Sequence, residues 1–149
     1  MSGAIQIRPV GEDEREAWNP LWAGYLAFYK TDLAADVSDL TWMRFHEPDE
    51  PMFALGGYVD GKLEGFAHYL FHRSTWTTHR YCYLEDLFVS EAARGKGLGR
   101  ALIEAVYGRA RAASASRVYW LTQSNNAQAR ILYDAVADNL GFIQYRKVL

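Results

Sequence analysis

Tyr83-Leu84-Glu85-Asp86-Leu87-Phe88-Val89-Ser90-Glu91-Ala92-Ala93-Arg94-Gly95-Lys96-Gly97-Leu98-Gly99-Arg100 is the stretch whose reading decides the fold. Tyr81 to Val89 is rich in β-branched and aromatic residues and reads as a long strand. After the glycines, Leu98, Ala101, Leu102, Ala105 and Val106 fall at helical spacing. The glycines between the two let backbone N–H groups turn toward a ligand with no Cβ in the way. The positive end of the following helix points at the same place. Arg94, Lys96 and Arg100 add charge around it. Such a turn can be an anion site suited to a pyrophosphate, or an ordinary Gly-rich turn with solvated basic residues. It is not a Walker loop, since no Gly-Lys-Ser/Thr follows a four-residue gap. The Gly95-x-Gly97-x-Gly99 spacing also departs from the dinucleotide fingerprint.

Working outward, Ala4 to Arg8 alternates and reads as a short strand. Glu12 to Lys30 has helical spacing at Trp18, Leu21, Trp22, Tyr25 and Tyr29, with Pro20 expected to part a polar first turn from an aromatic helix. Asp39 to His46 reads as a second helix. Met52 to Val59 and Leu63 to Arg73 read as strands joined by an Asp60-Gly61 hairpin turn. On the C-terminal side, Arg117 to Thr122 reads as a strand, Asn126 to Leu140 as a helix stopped by Gly141, and Phe142 to Val148 as a last strand. The order implies an α/β fold with a central mixed sheet flanked by about four helices, in one domain over residues 1–149.

Net charge is −2, which argues against a nucleic-acid binder. The single cysteine, Cys82, permits no internal disulfide and suits a reducing compartment. No apolar run reaches membrane-spanning length, and Met1 to Val10 lacks a signal-peptide core. A cytoplasmic protein without membrane association is the expectation.

The segment Arg94-x-x-Gly97-x-Gly99 resembles the signature of the GNAT superfamily of N-acetyltransferases, and Tyr83 to Val89 resembles the adjoining strand of its histone/polyamine and spermidine/spermine members. The resemblance covers most of the chain. It implies that Arg94, Gly95, Lys96, Gly97, Leu98, Gly99 and Arg100 hold the pyrophosphate of coenzyme A. It implies that Leu87, Phe88 and Val89 pair with pantetheine and polarise the thioester carbonyl. It also implies acetyl-CoA as co-substrate, with no metal.

Asn126 precedes Tyr133 by seven residues, two helical turns, so both can address one cleft. The resemblance gives Asn126 a cofactor contact and Tyr133 a place at the sulfur, where a phenol can stabilise the leaving thiolate. Tyr133 can equally be a core aromatic at helical spacing. Many relatives have Gly-Phe four or five residues after this Tyr, whereas here Gly141-Phe142 follow at eight and nine, an added turn.

An amine must lose its proton to attack. At pH 7 that costs an alkylamine about 4.6 kcal/mol. Glu85 is the candidate base; alternatively Glu85 and Asp86 alternate across the strand, one solvated and one salt-bridged. Asp86 can instead bind a cationic acceptor or cap a neighbouring element.

Trp22, Tyr25, Phe28 and Tyr29 read as core or as acceptor-site lining, with Asp32, Asp36 or Glu47 available to hold an ammonium. His68 and His72 lie four residues apart on a strand, roughly 13 Å, too far to share an ion, and read as surface or sheet-face residues. His46 and His79 stand alone, His79 within possible reach of the cleft. Cys82 has no evident His partner, which favours direct attack over an acyl-enzyme.

The expected function is acetyl transfer to a primary amine, the acceptor a small molecule such as a polyamine or a lysine-bearing protein, in a chain that pairs as a homodimer. The alternatives are a non-catalytic coenzyme A-binding sensor and an acyltransferase for longer chains.

Overall fold

The computed structural model describes residues 3–149. Among them run β1 (Ile5–Pro9), α1 (Arg15–Phe28), α2 (Ala35–Phe45), β2 (Met52–Val59), β3 (Lys62–Arg73), β4 (Arg80–Val89), α3 (Leu98–Ala112), β5 (Ala115–Tyr119) and α4 (Ala127–Val136). The five strands form one sheet in chain order. The pairs β1–β2, β2–β3 and β3–β4 are antiparallel, and β4–β5 is parallel.

Period-2 patterning sends alternate side chains to two cores. On one face Leu55, Ala67, Cys82 and Leu84 pack under Leu98, Leu102, Ile103 and Val106 of α3. On the other, Tyr58, Leu63 and Phe66 meet Trp18, Leu21, Trp22 and Trp42 of α1 and α2. The start of α3 is seated unusually close to the sheet. A Cβ on Gly57 would lie 2.7 Å from Leu98 Cδ1, and one on Gly65 would lie 3.3 Å from Leu98 Cδ2.

Several boundaries differ from the sequence-based expectation. Helix α1 runs through Pro20. The hydrogen bond that proline removes is to the Glu16 carbonyl, on the exposed side where water can accept the role. Helix α2 begins four residues early, at Ala35. Strand β5 ends at Tyr119, and Trp120 and Leu121 leave the sheet. Helix α4 stops at Val136, because Ala137 is extended (φ −153°) and Tyr107 Oη donates to the Val136 carbonyl at 2.8 Å. The added segment up to Leu140 is therefore not a helical turn. Phe142 to Val148 forms no strand; Phe142, Ile143, Tyr145 and Val148 stand 77–90% exposed, with no neighbouring strand to pair against.

Candidate functional site: a cleft between parting strands

Strands β4 and β5 pair from Arg80/Ala115 to Tyr83/Tyr119 and then diverge. Beyond that point β4 continues to Val89 with its β5-facing edge unpaired. The resulting notch opens a small cleft lined by Leu84, Glu85, Leu87, Trp120, Leu121 and Tyr133, with Tyr25 and Tyr29 from α1 closing one side.

At the notch β4 carries a bulge. His68 pairs with Asp86, but the next residue, Tyr69, pairs with Leu84, which leaves Glu85 without a partner. A bulge re-aims the side chain it carries, and Glu85 is exposed on the cleft wall. Partial desolvation, with the neighbouring Asp86 charge second, raises the Glu85 carboxyl above the ordinary carboxylate range.

Across the cleft, burial and then the nearby Tyr29 raise the Tyr133 phenol. It is therefore protonated at neutral pH and available as a donor. Its ring stacks edge-on to Trp120 at 5.4 Å. Asn126 is the N-cap residue of α4; its amide donates to Thr122 Oγ1 at 3.3 Å.

Behind the wall lies an array that sequence reasoning missed. Trp18 Nε1 donates to His68 Nε2 at 3.0 Å, and His68 Nδ1 lies 2.9 Å from Asp86 Oδ2. Tyr25 Oη donates to Asp86 Oδ1 at 2.7 Å. Indole N–H is a donor only, so His68 Nε2 must be bare and the ring proton sits on Nδ1, donated to Asp86. Asp86 thus accepts from two neutral donors and, among the described residues, pairs with no Lys or Arg. His68 is 4% exposed, so of the two readings, surface or sheet-face, the second holds: it lies on the sheet face under α1 rather than toward water. Its register opposite Asp86 is a sheet-pairing fact that no local sequence signal carries.

The remaining candidates sort by position. Gly95 (φ +79°) and Gly97 (φ +82°) hold left-handed backbone in the turn before α3, where added Cβ atoms would meet nothing. The open, side-chain-free turn and the unpartnered N–H groups of the first turn of α3 fit a pyrophosphate. Lys96 and Arg100 are exposed beside it. Arg94 Nε donates to the Val89 carbonyl at 3.2 Å and its guanidinium lies over Phe88. Leu87 faces the cleft, Val89 packs toward α3, and Phe88 turns to α1, where it crowds Gly24.

Trp22 is buried behind Tyr25, stacked on it at 5.4 Å, with Nε1 donating to Ser38; it does not line the cleft. Asp32, Asp36 and Glu47 are exposed and do not line it, and the carboxylate that meets the aromatic side of α1 is Asp86, through Tyr25. His79 is exposed outside the cleft. His72 Nε2 lies 2.7 Å from Tyr119 Oη. Cys82 is fully buried and its thiol is pushed up to about 12, so it is no nucleophile at neutral pH. No helix among the described residues is long and apolar enough to cross a membrane.

Known proteins share this fold. Residues 11–137 match the model of the acetyltransferase (GNAT) family. The D-amino-acid N-acetyltransferase HPA3 of Saccharomyces cerevisiae is 37% identical over 145 residues, spanning 96% of this chain and 90% of its own. The L-ornithine N5-acetyltransferase NATA1 of Arabidopsis thaliana is 26% identical, over 80% of this chain and 48% of its own. The crystal structure of a ribosomal-protein-alanine N-acetyltransferase from Brucella melitensis superposes with a TM-score of 0.82 at 25% identity, covering 98% of this chain and all of that one. With a family match over most of its length and a glycine turn leading to a notched sheet, the chain belongs to the acetyltransferase (GNAT) family.

Proposed function

We propose that the chain moves an acetyl group from acetyl-CoA to a small primary amine by direct attack in a ternary complex. The observation that carries this is the notch itself. Exposed β4 backbone, a raised carboxyl and a protonated phenol face one small cleft, and the glycine turn lies just past the end of the same strand.

Acetyl-CoA supplies the activated acyl group as a thioester. Gly95 to Arg100 hold its pyrophosphate through backbone N–H groups. The free edge of β4 at Leu87 to Val89 offers main-chain partners to the pantetheine arm, and Asn126 contacts the same arm from the start of α4. Glu85, raised from its ordinary value by partial desolvation, takes the ammonium proton directly or through water. Tyr133 donates a hydrogen bond to the departing sulfur. Full proton transfer from a phenol above 10 to a thiolate near 8.5 is uphill, so hydrogen bonding rather than transfer is its role. Cys82 is buried and protonated, which favours direct attack.

The Asp86 carboxylate, uncompensated by a cation, gives the acceptor side of the cleft a negative field that draws an ammonium, with Tyr25 and Tyr29 offering aromatic faces. The substrates in the names of two relatives, a D-amino acid and L-ornithine, are small amines of this kind. The free thiol of Cys82 suits a reducing cytoplasmic setting, and the exposed C-terminal segment supports a homodimer.

The test is calorimetric titration with acetyl-CoA, followed by thiol release against polyamines, amino acids, aminoglycosides and a lysine peptide, with Tyr133→Phe alongside. We expect one small-amine class to turn over, and Tyr133→Phe to lose about 10²–10⁴ in kcat with binding intact. No turnover on any amine, or an unimpaired Tyr133→Phe, overturns the reading.

A further inference from the structure

Trp18 and Tyr25 lie two turns apart on α1, sharing one face about 10 Å apart along its axis. The sheet closes a hydrogen-bonded circuit between them. It runs from Trp18 Nε1 to His68 Nε2 at 3.0 Å, from His68 Nδ1 to Asp86 Oδ2 at 2.9 Å, and from Asp86 Oδ1 back to Tyr25 Oη at 2.7 Å. Both ring nitrogens of His68 and both oxygens of Asp86 are thereby partnered. Packing does not require an imidazole at this place. The His68 ring stacks on Phe66 at 4.1 Å and lies 4.5 Å from Phe45. An apolar side chain would fill those surroundings with no polar group to satisfy.

What the circuit decides is the direction of one proton. The indole N–H can only donate, which puts the ring proton of His68 on Nδ1 and aims it at Asp86. With Oδ2 held by His68, Asp86 cannot turn away from Tyr25, and Oδ1 takes the phenol proton. Burial, then the Asp86 charge, raises the Tyr25 phenol, so that proton stays in place. A phenol has one proton to give. Tyr25 lines the cleft, and with its proton committed its oxygen has only lone pairs left for a ligand there. The anionic partner polarises that oxygen further as an acceptor. We propose that His68, locked by Trp18, is a positioning residue that acts through Asp86 to keep the Tyr25 oxygen acceptor-only, and that this oxygen takes one N–H of the incoming amine. Once Glu85 has taken a proton from the ammonium, the nitrogen keeps one N–H on Tyr25 and has its lone pair free for the thioester carbon. A Tyr25 proton turned into the cleft would instead bond that lone pair and compete with attack. The assignment rests on the amine acceptor proposed above.

The test is calorimetry of putrescine and of L-ornithine binding to the protein saturated with coenzyme A, a complex that cannot turn over. Tyr25→Phe and His68→Phe should each weaken binding of the preferred amine by about tenfold, and the double variant should bind no more weakly than either. His68→Asn places its amide nitrogen where Nδ1 stands and should recover most of the affinity. Tyr25→Phe removes a single hydroxyl and carries the test if His68→Phe does not fold. Nitrogen NMR of the His68 ring should show the proton on Nδ1. Neither amine binding the wild-type complex, Tyr25→Phe binding like wild type, losses that multiply in the double variant, His68→Asn as weak as His68→Phe, or a ring proton on Nε2 would each overturn the assignment. Since nothing is transferred in this complex, absent turnover with amine binding intact counts against the acetyl-transfer reading alone.

Discussion

Glu85 and Asp86 are neighbours in sequence but serve on opposite sides of a bulge. Asp86 is fixed between His68 and Tyr25, and Glu85 is left free to face the cleft. Their coupling has a sign that can be measured. Desolvation is the larger cause of the raised Glu85 carboxyl and the Asp86 charge the second, so removing that charge lowers the carboxyl toward its ordinary value. If Glu85 must be ionised to accept a proton, activity falls as pH drops through its pKa. Asp86→Asn should therefore move the acidic limb of the kcat/KM profile to lower pH by about 0.5–1 unit. Glu85→Gln should erase that limb. An acidic limb unmoved in Asp86→Asn would separate the two carboxylates. The sequence showed both acids and their strand, but alternation alone placed them on opposite faces with equivalent standing. What separates them is the pairing with β3, which skips Glu85 of β4. For the same reason His68 could be read only as surface or sheet-face, since its burial is set by Trp18, fifty residues away in the chain.

At the level of elements, the glycine turn and α3 were legible because their signals are local: residues that permit positive φ, then an apolar stripe at helical spacing. How closely the turn approaches the sheet was not, because Gly57 and Gly65 lie on other strands. Leu98 is 1% exposed and fills the space those glycines leave. A methyl at Gly57 would meet it at 2.7 Å and lift the first turn of α3, and with it the donors proposed for the pyrophosphate. Gly57→Ala should cost about 1–3 kcal/mol of stability and weaken acetyl-CoA binding measured by calorimetry. Gly108, exposed in the same helix with nothing within 4 Å of its Cβ position, is the control. Gly108→Ala should stabilise by up to about 1 kcal/mol and leave binding unchanged. Equal losses of binding in both variants would mean that the seating of α3 is not what sets the turn. The last strand failed as a prediction for the opposite reason to Gly57. Its own pattern is right for a strand, but a strand exists only against a neighbour, and Phe142 to Val148 lies against none.

For the molecule as a whole, the two cores hold β1 to β4 between α1/α2 and α3, while the β4–β5 pair is tied over only four register pairs before it opens. Apart from the Val89 carbonyl, which Arg94 Nε caps, the free edge from Leu84 to Val89 then leaves main-chain donors and acceptors to water, the arrangement expected of a low-stability margin kept for a ligand. A pantetheine arm laid along that edge would replace water as their partner. Acetyl-CoA at about 100 times its Kd should add about 2.7 kcal/mol of stability by mass action. For a chain of this size that corresponds to a rise in Tm of about 5–10 °C. The global shift alone does not locate the site, so hydrogen exchange supplies the position. Protection should increase at amides between Leu84 and Val89 and in the turn from Gly95 to Arg100, with far smaller changes in β2, which is paired on both sides in either state. Protection appearing instead along β5 and α4 alone would place the ligand at the outer edge of the sheet. The notch would then be a structural consequence of where β5 ends, and the assignments of Glu85 and Tyr133 would fall with it.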